Sequence, residues 1–160
     1  MSTEDRKEAL QRGQLQLQDL DINHRDVKRI FMKLKSGRSQ PRWTCQHLGK
    51  GISELGKIER LLSSDSNIRI VDLTCNPKIG DKVAEYLHIL PDTVLSLSIV
   101  GSKVSTQGLK RVCKFLETNN IMRMFVMDGI NGVDHEGVKY IGKMLSNNSK
   151  LQSLFYVGHL

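Results

Sequence analysis

The sequence predicts an α/β solenoid, a row of short parallel strands each backed by its own helix. Three observations carry that prediction. First, residues 94–120 switch period. Leu97 and Ile99 alternate with Ser96, Ser98 and Val100, as in a strand with one buried face, and then Leu109, Val112, Phe115 and Leu116 recur at helical spacing. Second, the same apolar offsets recur from Leu15, Trp43, Val71, Leu97, Met124 and Leu154, at separations of 26 to 30 residues. Periods of this length mark architectures in which each unit contacts only its neighbours. Third, polar turns stand just before strands at 66–67, 119–120 and 147–149. A unit this short cannot bury a strand face and a helix stripe alone, so the copies must stack.

Taken in order, residues 1–11 hold an amphipathic helix that caps the first unit. That unit has Leu15 and Leu17 in its strand, then Ile22, then a helix over 25–35 carrying Val27, Ile30 and Leu34; Lys33 is its one departure from the pattern. The second places Trp43 and Cys45 in a strand and Leu55, Ile58, Leu61 and Leu62 on a helix over 51–62. The third runs Val71, Leu73 and Ile79 into a helix over 81–90 with Val83, Tyr86, Ile89 and Leu90. In the fourth, built on Leu97, the helix covers 106–117. The fifth takes Met124 and Val126 as inward strand residues, then Val138, Ile141, Met144 and Leu145 on a helix over 135–145. Of the sixth only a strand remains, with Leu154 and Tyr156 inward and no helix to close it. Asp81, Ser105 and Asp134 precede helical runs, as capping residues do.

The totals agree with one domain over 1–160. Apolar residues make up 39% and charged residues 26%, which supports a packed core. Three cysteines without CxxC spacing argue against a disulfide framework or a zinc site and for a reducing compartment. The amino terminus has no apolar run of a secretory signal, and nothing approaches the roughly 20 apolar residues of a membrane helix. A soluble protein of the cytoplasm or nucleus is expected.

The strands at 68–76 (IRIVDLTCN), 94–102 (VLSLSIVGS) and 121–129 (IMRMFVMDG) resemble the leucine-rich pattern LxxLxLxxN. With a full helix per unit, the chain is similar to the ribonuclease-inhibitor-like subclass of leucine-rich repeat proteins. The turns LETNNIMRMF and LSNNSKLQSLF resemble those of the tropomodulin repeat domain, from actin pointed-end cappers. The resemblance implies a short right-handed horseshoe with the parallel sheet on its concave side, helices on the convex side, protein binding, and no catalysis or cofactor. Only Asn76 occupies the pattern's asparagine; Leu48, Ser102 and Gly129 stand at its equivalents, so irregular turns are expected in the first two copies.

If the anchors point inward, the residues flanking them point out of the concave face. That face runs from polar rows (Gln14, Gln16 and Gln18) to an apolar end with Phe125, Met127, Phe155 and Val157 beside Arg123, and Asp72 as a polar neighbour. Such a cluster is what protein interfaces favour; the competing reading packs these residues into a terminal cap. Six strands at about 4.8 Å make a face roughly 24 Å long, enough to grip a helix or one edge of a partner. The final strand presents an open edge, which invites pairing with a partner chain or a second copy unless it is merely a frayed closing strand.

Six of the seven net positive charges fall within 25–42, where Arg25, Lys28, Arg29, Lys33, Lys35, Arg38 and Arg42 face Asp26 alone. The segment reads as a solvated helix face, or as a surface for an acidic protein, anionic lipid or RNA phosphates. Stacking aromatics for bases are scarce, only Phe31 and Trp43 being near. No site chemistry emerges. Asp134 and His135 read as a cap and its neighbour, the other histidines lie in different units, and no nucleophilic triad or phosphate-cradling glycine loop is present. The function expected is therefore a non-catalytic protein-interaction module, an adaptor or a subunit of a larger assembly. Actin or cytoskeletal regulation, and acidic-surface or RNA binding through 25–42, are the alternatives.

Overall fold

Five parallel strands hydrogen-bond in sequence order, with helices packed along one face of the sheet and the other face left open. The computed structural model describes residues 2–36, 68–128 and 135–157. The elements are α1 (Thr3–Gln11), β1 (Gln14–Gln16), α2 (His24–Ser36), β2 (Ile70–Asp72), α3 (Val83–Tyr86, a single turn between the 3-10 segments Gly80–Lys82 and Leu87–Ile89), β3 (Ser96–Ser98), α4 (Thr106–Thr118), β4 (Met124–Asp128), α5 (His135–Asn147) and β5 (Ser153–Val157).

The strand middles carry the core. Leu15 pairs with Val71, Val71 with Leu97, Leu97 with Phe125, and Phe125 with Leu154. All but Leu154 are buried, and Leu154 packs against the same cluster. The helix stripes complete it: Val27, Ile30 and Leu34 from α2, Leu109, Val112 and Leu116 from α4, and Met144 from α5. Each strand is only three to five residues long, so the parallel ladder by itself is weak, and burial of this continuous apolar seam supplies the stability.

Helix ends follow local chemistry. Ser2 and Asp5 form a reciprocal capping box on α1. Asn23 and Asp26 make the same exchange on α2: the Asn23 amide donates to the Asp26 carboxylate, whose own amide donates back to Asn23 Oδ1. Asp81 does not cap its own segment. Its carboxylate instead accepts from the amide and hydroxyl of Ser105, the N-cap of α4, and so joins consecutive units. The helix expected over 81–90 is instead the single turn α3 flanked by 3-10 segments, and the run stops at Leu90, which precedes Pro91 and turns extended (ψ 135°), as steric conflict with a proline ring demands.

Two expectations about the strands are corrected. The strand expected at Trp43 lies outside the described residues, but its place in the sheet is taken: β1 and β2 are direct hydrogen-bonded neighbours. No strand therefore lies between these two, and the five strands of the described residues span roughly 19 Å at about 4.8 Å per step. The second correction is a one-residue phase error in β4. Phe125 and Met127, expected on the open face, are buried in the core, while Met124 and Val126, expected inside, stand on the open face. Side chains alternate along a strand, so a slip of one inverts every residue in it.

The irregular first turn expected from the missing asparagine is present. Asp19 and Asp21 both adopt left-handed backbone (φ 58° and 54°), unusual for non-glycine residues. Asn76 repairs it from the neighbouring unit. It is fully buried, its Oδ1 accepts from Ile22 N, and its Nδ2 donates to the carbonyls of Leu17, Leu73 and Thr74. One amide thus closes its own turn and the turn before it. Ser102, at the equivalent place one unit on, is too short for this. Its hydroxyl is buried without a hydrogen-bond partner among the described residues.

Candidate protein-binding face

The ladder registers array the open-face residues in rows across the strands. One row runs Gln14, Ile70, Ser96, Met124, Ser153; the next runs Gln16, Asp72, Ser98, Val126, Phe155. The first three columns are mostly polar and partly satisfied among themselves. Gln18 Nε2 donates to Gln16 Oε1 at 3.3 Å, Asp72 Oδ1 accepts from Thr74 N at 2.9 Å, and the hydroxyls of Thr74 and Ser98 lie 2.9 Å apart.

The last two columns change character. Phe155 is 53% exposed and Met124 38%, with Val126 directly across from Phe155. Cross-strand apolar pairs support each other in a sheet. Here the pair also shows an aromatic ring and a methionine to solvent at one end of an otherwise polar face, a composition that interface cores favour. Arg123 sits at the rim before β4. Its backbone carbonyl accepts from Gln152 N and Ser153 N, and its Nη1 donates to Asn120 O at 3.1 Å.

Of the residues predicted from sequence, the structure places Asp72 and Phe155 on the open face, Arg123 at its rim, and the Val157 backbone opposite Asp128 at the end of β5. It removes Phe125 and Met127 to the core. Met124 and Val126 are the residues that sequence reasoning missed. A signal was there to find: Asn119 and Asn148 accept the same pair of amides, two and three residues ahead, and each lies six residues before an inward strand residue, Phe125 and Leu154. Aligning the units on these asparagines sets β4 in its observed phase.

The basic segment lies elsewhere. Arg25, Lys28 and Lys35 are exposed on α2, on the helical side of the sheet, with Lys28 Nζ 5.7 Å from the Tyr86 ring. Arg29 and Lys33 are half-buried, and Arg29 Nη2 is 4.0 Å from Asp26 Oδ1. Arg38 and Arg42 are outside the described residues. The described cations of α2 and the Met124–Phe155 patch therefore belong to different faces.

Among the described residues the Cys113 thiol is the strongly shifted group, pushed up to about 12 by burial and secondarily by the Glu117 carboxylate, which keeps it protonated rather than nucleophilic. Among the described residues no group of three or more His, Cys, Asp or Glu side chains is placed to hold a metal ion, and no helix is long and apolar enough to cross a membrane.

No protein-family model matches the chain, and no curated protein sequence does either. Its fold is similar to the solved structure of Leiomodin-1 Actin-Binding Site 2 (ABS2). The two share 15% sequence identity at a TM-score of 0.52, over 85% of this chain and 79% of that one. At that identity the likeness is one of fold: a leucine-rich-repeat-like α/β arrangement with an open parallel sheet.

Proposed function

We propose that this chain is a non-catalytic protein-interaction module, an adaptor or a subunit of a larger assembly, that binds a protein partner at the β4–β5 end of its open sheet face. The observation that carries this reading is the uncovered cross-strand patch of Met124, Val126 and Phe155 at the end of a polar face. These apolar side chains would supply most of the affinity, with Arg123, Asp72 and Val157 setting orientation at the margins. Inter-strand separations of 26, 28 and 29 residues between Val71, Leu97, Phe125 and Leu154, with the full helices α4 and α5 after the second and third of these strands, are what supports the ribonuclease-inhibitor-like subclass; the single turn α3 departs from it.

The test is capture of partners by tagged wild-type chain and by Met124→Ala/Phe155→Ala, compared by quantitative mass spectrometry. Proteins held through this face drop at least about tenfold with the double variant, since two interface anchors are together worth roughly 2–4 kcal/mol. Identical captured sets, with both proteins folded, would reject the face.

A second reading, actin binding, is favoured by one specific observation: a solved structure similar in fold bears the name of an actin-binding site. Co-sedimentation with filamentous actin tests it, and a chain left in the supernatant eliminates it. For the exposed cations of α2, acidic-surface or RNA binding predicts retention that falls steeply with salt; salt-independent behaviour removes it.

A further inference from the structure

The strands β2, β3 and β4 are entered through a rim with a pattern of its own. Arg69, Leu95 and Arg123 each stand two residues before a buried anchor, Val71, Leu97 and Phe125. Their backbones are linked in turn, Leu95 N donating to Arg69 O and Arg123 N to Leu95 O, each at 2.8 Å. Arg69 is exposed, and Leu95 and Arg123 are half-buried. Leu95 lies outside the core cluster, as do Ile70 and Met124, which flank Ser96 in the adjoining row of the open face. Among the described residues neither guanidinium pairs with a carboxylate: Arg123 Nη1 donates to the Asn120 carbonyl, and the exposed Asp92, three residues before Leu95, pairs with neither. The rim therefore reads cation, apolar, cation, and at about 4.8 Å per strand step its two arginines start roughly 9.6 Å apart.

We infer that this rim takes an acidic amphipathic helix of a protein partner, lying across the strands, with one carboxylate on each arginine and an apolar residue between them on Leu95. This rests on the open face being the surface a partner uses, and it names that partner's chemistry.

The spacing selects a helix. Residues seven apart on one helical face are separated by about 10.5 Å, and those three or four apart by about 5–6 Å, close to two strand steps and to one. An extended chain laid across the strands repeats on one side at about 6.6 or 13 Å and matches neither. Nor can it add as a strand, because β2, β3 and β4 are each hydrogen-bonded on both sides. The chemistry selects acid with apolar. Arginine forks hold carboxylates in two-point contacts. A run of phosphates would satisfy the arginines but leave Leu95, Ile70 and Met124 against water, whereas an amphipathic helix covers them. Asp72, in the row beyond Ile70, repels carboxylates and so turns the acidic side of the helix toward the rim.

Selection from a displayed library of single helices, randomised along one face, on the immobilised full chain tests it. Helices selected by the wild type are expected to carry Glu or Asp at i and i+7 with an apolar residue at i+3 or i+4. Arg69→Glu/Arg123→Glu, with circular dichroism matching the wild type, is expected to select Lys or Arg at those two positions instead. The best wild-type helix, made as a fluorescent peptide, is expected to bind Arg69→Ala/Arg123→Ala about tenfold more weakly, the effect of two rim ion pairs, with a smaller difference at high salt. Selected helices without the acidic pair, or the same helices from the charge-reversed chain, would overturn the inference. So would a labelled oligouridine whose binding, rather than the helix's, is lost with the arginines. The partner face and the acidic helix fail separately: captured proteins released by Met124→Ala/Phe155→Ala but not by Arg69→Ala/Arg123→Ala would keep the face and reject the helix, and proteins released by neither would reject both.

Discussion

Replacing Asn76 with Ala probes the unit-to-unit coupling most directly. The substitution strips a partner from Ile22 N and from the carbonyls of Leu17, Leu73 and Thr74; the Thr74 carbonyl alone keeps a second donor, the Asp19 amide. Each stripped buried group costs about 1–3 kcal/mol, and a water entering the gap recovers part of that, so a net loss of about 3–5 kcal/mol is expected. For a chain of this size that is a fall in Tm of roughly 10 °C. Urea unfolding followed by far-ultraviolet circular dichroism reads it. Asn76→Asp sharpens the test. It keeps the acceptor for Ile22 N but aims a carboxylate at three carbonyls, so at neutral pH it should be at least as unstable as the alanine variant. Protonation restores a donor, so that carboxyl titrates above its ordinary range in the fold, and the variant should regain stability as pH falls toward about 4. A loss under about 1 kcal/mol for alanine, or a wild-type aspartate variant, would refute the idea that one amide holds two turns.

The buried and exposed phenylalanines should separate cleanly: Phe125→Ala is expected to cost about 3–5 kcal/mol by thermal unfolding and Phe155→Ala less than about 1, and equally small losses at both would restore the orientation read from sequence. At Gly108 an added Cβ would meet the Asp81 carboxylate and a Val104 methyl, so Gly108→Ala should destabilise by about 1–2 kcal/mol despite alanine's better helix propensity, and by less in an Asp81→Ala background; a stabilised single variant would show that the Asp81–Ser105 contact yields freely. Cys113 should resist iodoacetamide at pH 8 until the chain unfolds while exposed Cys75 reacts, with equal labelling as the contrary result. Because that thiol stays protonated in the fold up to about 12 and ionises near 9.0 when released, its contribution to stability should decline as pH rises above about 9.

Much of this architecture was legible because burial in a repeat imposes the same offsets many times. Leu15, Leu17, Ile22, Val27, Ile30 and Leu34 follow the pattern of Leu97, Ile99, Val104, Leu109, Val112 and Leu116, and all twelve are buried. The helices over 24–36, 106–118 and 135–147 fall within two residues of their expected ends for the same reason. Legibility failed where the pattern became degenerate. Four consecutive apolar residues, Met124 to Met127, satisfy either strand phase, and only the hydrogen-bond geometry of the preceding asparagine decides between them. Val138 and Leu145 match the helical stripe by spacing, yet stand outward, because α5 turns Gly137, Tyr140, Ile141 and Met144 toward the chain's own core instead. Nor could spacing foresee that the Leu15 and Val71 strands would be immediate neighbours, since pairing across 56 residues leaves no periodic trace.

The side chains that hold the units together and those that face outward are almost wholly separate. Asn76 reaches back to the Leu17 turn, Asp81 reaches forward to the cap of α4, and Asn148 Nδ2 donates to the carbonyls of Leu116 and Asn119. Every one of these ties runs to backbone or to a cap, in the turns at either end of the strands. None passes through the open face, where Met124 and Phe155 are exposed and Val126 is half-buried. A substitution on that face therefore perturbs neither the seam of Leu15, Val71, Leu97 and Phe125 nor the turns, so recognition can change there at small cost to folding. That division is why binding and stability should respond independently to Phe155 and Phe125, two aromatic residues that sequence alone placed on the same surface.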